Sequence, residues 1–292
     1  MARREWEQTT QFIRTASEIL KVEHPMTVRQ LFYRLVSAGV LKNSDKHYHY
    51  VSRMMTKARL DGRIEFDWIV DRSRPEYEAS VWKDAAAYGD TIKHSYRKDY
   101  WELQPCYAEI WCEKDAVIGS IQSVTNEYGV RVVVGRGFQS TTRVQEIAER
   151  LASKQDKEIH VFYLGDHDPS GVDIQRDLKE RVWSALMGLD SCPDLEIERL
   201  AIHSRDIQTF NLPPLLVKDS DSRAACFTAK HGPNCVELDA LPPSELRRRI
   251  AEAVESILDK EGWDRAVRIE GVELASIRDF VANLKPALPG QA

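Results

Sequence analysis

The chain is poor in cysteine, holds no long apolar run and lacks a lysine-bearing phosphate loop, and each absence removes a class of protein. Its five cysteines (Cys106, Cys112, Cys192, Cys226 and Cys235) are odd in number, and none stands in a CxxC pair. That spacing excludes a disulfide framework and a zinc knuckle, and points to reduced thiols in a cytoplasmic protein. No stretch approaches the roughly eighteen apolar residues of a membrane span. No apolar segment follows the arginines of MARREWEQTT, so no signal peptide is expected. The turn GRGFQSTT (135–142) has glycines but not the Gly-Lys-Ser/Thr ending of an ATP-binding loop. Internal repeats and low-complexity tracts are missing as well.

What is present suits a folded α/β chain. At 292 residues, with 42% hydrophobic and 30% charged residues, the sequence is long enough for two domains and too apolar for disorder. The net charge of −5 hides an uneven distribution. Between Thr27 and Arg63 stand eight basic residues (Arg29, Arg34, Lys42, Lys46, Arg53, Lys57, Arg59, Arg63) against Asp45 and Asp61 alone. Such a segment can meet phosphate within an acidic chain. Helical spacing runs over Trp6–Val22 until Pro25, and again over VRQLFYRLVSAG, with Thr27 as N-cap and Gly39 as the stop. A basic helix follows over 48–60, and RIEFDWIVD then alternates as a half-buried strand. Helix, helix, basic helix, strand is the order of a winged helix-turn-helix, in which Arg53, Lys57 and Arg59 would face DNA phosphate.

Beyond a polar stretch over 71–104 the rhythm changes. CYAEIWCE, VRVVVG, EIHVFYLGD and LEIERLAI read as strands, separated by the helices DAVIGSIQSVTNEYG, STTRVQEIAERLA and GVDIQRDLKERVWSALMG. This alternation predicts a mainly parallel sheet with helices on both faces. The expected domains are therefore 1–100, a winged helix with its linker, and 101–292, the sheet domain with a C-terminal extension. In the last hundred residues LPPSELRRRIAEAVESILDK is a helix, 211–236 reads as irregular, and VELDAL as an ordinary half-exposed strand. Ligands of an open parallel sheet gather at the carboxyl ends of its strands. There the sequence places Glu113 after one strand, and Asp166 and Asp168 after another. Like charges on one edge call for a cation, and an oxygen-only donor set favours Mg²⁺ over zinc.

These segments resemble a known family. EIWCEKDAVIGSI looks like the strand–Glu–Lys–x–Ala motif that opens the Toprim domain in the topoisomerase VI A subunit and the meiotic double-strand-break transesterase. VVVGRGFQSTTRVQEIAERL is similar to the family's glycine turn and Thr-Arg helix start, and VFYLGDHDPSGVDI to its Asp-x-Asp-Pro-x-Gly-x-Asp-Ile segment. NLPPLLVKDSDSRAACF and VELDALPP look like compact single-chain bacterial and phage relatives, so the resemblance extends from Thr27 to about Asp259. It implies that Glu113, Asp166 and Asp168 hold Mg²⁺, that Lys114 serves phosphate or the acids, and that Arg136 keeps a positive charge at the glycine turn. VRQLFYRLV is similar to the family's Arg-Asp-Ile-Tyr-Tyr pattern, with Phe32 in place of the commoner first Tyr, which places Tyr33 on the nucleophile and Arg29 on its arginine; Tyr48 and Tyr50 stand nearby as DNA-stacking residues or alternative nucleophiles.

The implied activity is DNA cleavage by tyrosine transesterification, leaving covalent 5′-phosphotyrosine links. It implies a nucleoid-associated homodimer in which Tyr33 of one protomer meets the metal of the other. ATP-driven strand passage would need a separate B-type ATPase subunit. Two alternatives stand beside it: a Toprim nuclease that activates water and does not use Tyr33, a kind found in anti-plasmid defence systems, and a DNA-binding scaffold without chemistry.

Overall fold

In the computed structural model of the chain, residues 2–70, 79–135, 137, 139–218 and 221–283 are described, with side chains from Thr9 onward. They form two compact units, one from Met1–Arg74 and Tyr107–Ser256, the other from Pro75–Cys106 and Ile257–Ala292.

In the first unit, α1 (Ala2–Glu23), α2 (Val28–Ser37) and α3 (Asp45–Leu60) come first. Thr27 starts α2 through a reciprocal cap: its hydroxyl accepts from Gln30 N at 3.1 Å, and the Gln30 side chain accepts from Thr27 N at 2.8 Å. The helix buries Leu31, Phe32, Tyr33 and Leu35, and Gln30 Nε2 donates to Ser120 Oγ at 3.1 Å. Chain reversal follows at Gly39, whose φ of +72° falls where a side chain would be strained. In α3, Val51, Met55 and Ala58 face inward while Arg53 and Lys57 stay exposed, the amphipathic division its spacing predicts.

The alternating RIEFDWIVD does not become a strand. Phe66–Trp68 is a turn of 3₁₀ helix, and Ile69 makes one isolated parallel bridge to Met26. Phe66 is exposed while Ile64 is buried. Alternation alone cannot make a strand without a neighbour to receive its backbone groups. Among the described residues this region contains three helices and no wing strand.

After α4 (Ala85–Ser95), which belongs to the second unit, the chain enters the sheet. Its elements are β1 (Cys106–Cys112), α5 (Ile118–Glu127), β2 (Arg131–Val134), α6 (Thr141–Ala152), β3 (Glu158–Leu164), α7 (Pro169–Gly188) and β4 (Leu195–Ala201). The strands form one parallel sheet in the order β2-β1-β3-β4. All seven β1 residues are buried, as expected of a central parallel strand. With the right-handed crossovers general to parallel βαβ units, this order puts α5 on one face and α6 and α7, which pack together, on the other. Because β2 lies on one side of β1 and β3 on the other, the direction of winding reverses between β1 and β3. A crevice therefore opens beyond their carboxyl ends.

The first unit continues through α8 (Ser204–Thr209), β5 (Leu215–Leu216), α9 (Ala224–His231), β6 (Asn234–Cys235) and α10 (Pro243–Ile257). The stretch expected to be irregular thus holds a small antiparallel pair, β5 with β6, and a short helix. In the second unit α4 accompanies α11 (Lys260–Ala282), a helix the sequence reading did not anticipate. Asp259 caps α11, and Trp263 on its first turn packs edge-on to Tyr100 at 4.6 Å. Among the described residues no helix is long and apolar enough to cross a membrane, and all five cysteines are free thiols.

Candidate active site

The hydrogen-bond ladder runs on past the strand ends, and this continuation assembles the site. Glu113 N donates to Leu164 O at 2.9 Å, Gly135 N to Cys112 O at 2.7 Å, and Gly165 N to Ala201 O at 2.9 Å. The residues after β1, β2 and β3 are thereby held in one row at the carboxyl edge. Glu113 Oε2 accepts from Asp166 N at 3.0 Å, which lays its carboxylate against the backbone of the loop after β3. A Cβ on Gly171 would stand 2.5 Å from Asp166 O and 3.0 Å from Glu113 Oε2. Glycine is required there by close approach.

Asp166 is 7% exposed; its Oδ1 accepts from Leu238 N at 2.7 Å and lies 3.0 Å from Lys114 Nζ. Asp168 takes a different local role. Its Oδ1 accepts from Gly171 N at 2.6 Å, capping α7, with Pro169 supplying the preset φ of the first helical position. His167 turns away from both acids and packs against Phe227 and His231 at 5.2 and 5.4 Å.

Lys114 is the centre of charge. Its ammonium is 3.0 Å from Asp166 Oδ1, Glu237 Oε2 and Asp239 Oδ2. Burial alone would lower its pKa, but Asp239, Asp166 and Glu237 together hold it well above the ordinary lysine value. Glu237 also receives Arg29, whose Nη2 and Nε lie 2.6 and 3.0 Å from its two oxygens. Burial would raise the Glu237 carboxyl, yet Arg29 and Lys114 overcome it and pull it down to about 2. The Arg29 guanidinium in turn lies over the rings of Tyr33 (5.7 Å) and Tyr48 (5.8 Å). Tyr33, Arg29, Glu237, Lys114 and Asp166 are therefore one connected chain of contacts within a single protomer, whereas the resemblance implies that Tyr33 meets the metal of a partner protomer.

The acids pay for their position in desolvation. Burial raises Asp166 despite Lys114, and burial with the adjacent Asp166 charge pushes Glu113 up to about 7. The unfolded chain loses the Glu113 proton near 4.5 and the folded chain keeps it to about 7. Stability therefore falls as pH rises between these values and stays lower above them, by on the order of 3 kcal/mol. Urea midpoints taken from pH 5 to 8 in chelator should show this contribution as the difference between the native chain and Glu113→Gln, because His167, which burial holds down at about 4, acts in the opposite direction in both; parallel curves would contradict it.

Tyr33 is 4% exposed, and its pKa is pushed up to about 12 by burial and by the Glu237 charge. On α3, Arg53 and Lys57 are exposed and have no ion-pair partner among the described residues; the guanidinium of Arg53 rests 5.9 Å over Tyr50 and that of Arg59 5.4 Å over Phe66. Arg136 lies outside the described residues.

Glu237 and Asp239 could approach the metal on their sequence alone, but the alternation of VELDAL favours an ordinary strand; Arg199 carries no sequence signal at all. The strand expected over VELDAL is a bridge at Val236 followed by 3₁₀ helix at Leu238–Ala240. Its backbone turns because Leu238 N goes to Asp166 rather than to a neighbouring strand. That turn carries Glu237 and Asp239 onto Lys114 together. Glu-x-Asp is the same acid spacing as Asp166-x-Asp168 and was the available signal. The half-buried guanidinium of Arg199 gives Nη1 to the carbonyls of Gly165 (3.0 Å), Asp166 (3.1 Å) and Ile202 (3.3 Å), and Nη2 to that of Gly171 (3.1 Å). It ties down the loop that bears both aspartates.

A cleft of about 680 Å³ opens over this edge, lined among others by Lys114, Asp166, Asp168, Lys218, Arg223 and Glu237. Glu113, Asp166, Asp168, Glu237 and Asp239 are set against Lys114, Arg29 and Arg199, a negative excess on a partly buried edge. As placed, no three His, Cys, Asp or Glu side chains among the described residues form a closed metal cage, and Lys114 stands among the acids. The donor chemistry nevertheless fits a hard divalent ion. The donors are all oxygens, burial raises Asp166 while burial and the Asp166 charge raise Glu113, and the buried Asp239 Oδ1 has no hydrogen-bond partner. Compared with known proteins, the chain matches no family model, and no curated protein matches it. The fold and edge define an α/β protein with an acidic crevice at its topological switch point.

Proposed function

We propose that this chain is a Mg²⁺-dependent DNA-cleaving enzyme, a Toprim protein similar to the topoisomerase VI A subunit, working on duplex DNA as a homodimer. The observation that carries the reading is the meeting of Glu113 and Asp166 beside Lys114 at the switch point, on the same contact chain as Arg29 and Tyr33. Glu113 and Asp166 would hold the ion, with Asp168 as a further ligand. Mg²⁺, when bound, supplies stabilisation of charge on the attacked phosphate and on the leaving 3′ oxygen. Lys114 and Arg29 bring positive charge to the phosphate. Tyr33 would give its phenolic proton to water as its oxygen bonds to phosphorus, and the P–O3′ bond breaks with the 3′ oxygen taking a proton back from water. The exposed Arg53 and Lys57 of α3 would meet the flanking backbone, giving affinity that weakens with salt.

A second reading, hydrolysis by water, is favoured by Tyr33 itself. A hydroxyl on a side chain 4% exposed, with its pKa at about 12, is a reluctant nucleophile without rearrangement. Cleavage of supercoiled plasmid with Mg²⁺, quenched in detergent, separates the two. Under transesterification the cut DNA carries attached protein, and Tyr33→Phe abolishes cutting. Free ends, with Tyr33→Phe cutting at the native rate, would establish the hydrolase. No cutting by the native chain with Mg²⁺ would leave DNA binding without chemistry, the scaffold reading.

A further inference from the structure

We infer that Glu237 is a built-in occupant of a phosphate site: its carboxylate sits between Arg29 and Lys114 where a DNA phosphodiester binds, and the substrate must displace it. The inference rests on the DNA reading above and goes beyond it by naming the anion site and what guards it.

Three features of the geometry lead there. First, one carboxylate is gripped from two sides by different cations. Arg29 takes both oxygens in a fork, at 2.6 and 3.0 Å, and Lys114 takes Oε2 from the other side at 3.0 Å. A planar fork plus an ammonium is the donor arrangement that suits a phosphodiester's two free oxygens as well as a carboxylate's. Second, the grip can be reached. Glu237 lines the open cleft, and the side chains of Arg29 and Glu237 are 44% and 23% exposed. Third, Lys114 has a fallback and Arg29 has none. When Glu237 leaves, Lys114 still holds Asp166 and Asp239, the latter 1% exposed and outside the cleft lining. Arg29 has no other ion-pair partner among the described residues, and its position over the Tyr33 ring puts an arriving phosphate beside the tyrosine. Glu237 thus keeps Arg29 ordered and neutralised until an anion replaces it.

The test is equilibrium binding of a fluorescent duplex oligonucleotide in EDTA, where no cutting occurs, measured by anisotropy across a KCl series. Glu237→Gln keeps the shape of the side chain and removes its charge. It is expected to bind roughly tenfold tighter than the native chain near 0.1 M salt, with a log–log salt slope steeper by about 0.9, one phosphate contact. The Arg29→Ala/Glu237→Gln double variant should lose that gain. Asp239→Asn removes an equal charge from Lys114 without opening the site, and should change affinity less than twofold. Equal gains in Glu237→Gln and Asp239→Asn would reduce the effect to general charge and overturn the inference. Measurable binding with no gain in folded Glu237→Gln would overturn it too, leaving the DNA reading intact. No duplex binding by native chain or variant, even at low salt, would overturn both.

Discussion

Asp166→Asn is expected to lower Mg²⁺-dependent plasmid cleavage by roughly a hundred- to a thousandfold, the scale on which loss of one charge-stabilising group is felt. The substitution is nearly isosteric. The amide oxygen of the replacement side chain would still accept from Leu238 N, so the turn that carries Glu237 and Asp239 stays in place. What disappears is the negative charge that sits 3.0 Å from Lys114 and beside Glu113. Glu113 should then ionise more readily, because one of the charges raising its pKa is gone. Duplex binding in chelator should be unchanged or tighter, since the site becomes less negative. A loss of cleavage with binding preserved places Asp166 in the chemistry. Cleavage within tenfold of the native rate would remove the acidic edge from the mechanism, whatever Tyr33 does.

Glu109→Ala is expected to destabilise the chain by about 3–5 kcal/mol, the usual result of removing one partner of a buried ion pair. Glu109 is fully buried in β1 and has four donors. Arg150 Nε and Nη2 lie at 2.6 and 3.1 Å, Tyr107 Oη at 2.9 Å, and Trp111 Nε1 at 2.9 Å. Tyr107, Glu109 and Trp111 alternate along one face of the strand, the face toward α6, from which Arg150 reaches in. Truncation strands a guanidinium that is 19% exposed and two aromatic donors. The paired change Glu109→Leu with Arg150→Met should recover most of the loss, because it removes the buried charges on both sides. Urea denaturation of the native chain and both variants decides it. A loss under 1 kcal/mol for Glu109→Ala would mean that water reaches Arg150 and that the pair belongs to the surface.

Much of the sheet was legible because its signals are local. β-branched runs ending at glycine, and the helices of STTRVQEIAERLA and GVDIQRDLKERVWSALMG, recur where the sequence spacing puts them, the latter opening two residues early at Pro169 under an Asp168 cap. The acid ends of two strands could be placed on one edge without coordinates, since parallel strands share a direction. The same local logic failed twice. RIEFDWIVD alternates as a strand does, but strand formation also needs a partner, and only Met26 supplies a single bridge. VELDAL alternates too, yet Leu238, Asp239 and Ala240 are all buried, which no half-exposed strand allows. Helix α11 was missed although it runs for 23 residues. Its outer side carries Val267, Val272 and Phe280 exposed, which blurs the apolar stripe that marks a helix.

By itself the sequence determined the alternating α/β order, the edge that bears Glu113, Asp166 and Asp168, and the amphipathic α3 with its exposed Arg53 and Lys57. Each depends on spacing within a segment, and the periods of helix and strand can be read from one stretch of chain. Only the tertiary structure decided what those residues meet. Arg29 and Glu237 lie 208 positions apart, Lys114 and Asp239 lie 125 apart, and Arg199 reaches back to the loop after β3. No periodicity encodes such pairings. They exist because the winding reverses between β1 and β3, opening a crevice into which the turn at Leu238–Ala240 folds. There the repulsion among buried like charges is offset by two cations, Arg29 and Lys114, drawn from distant stretches of the first unit.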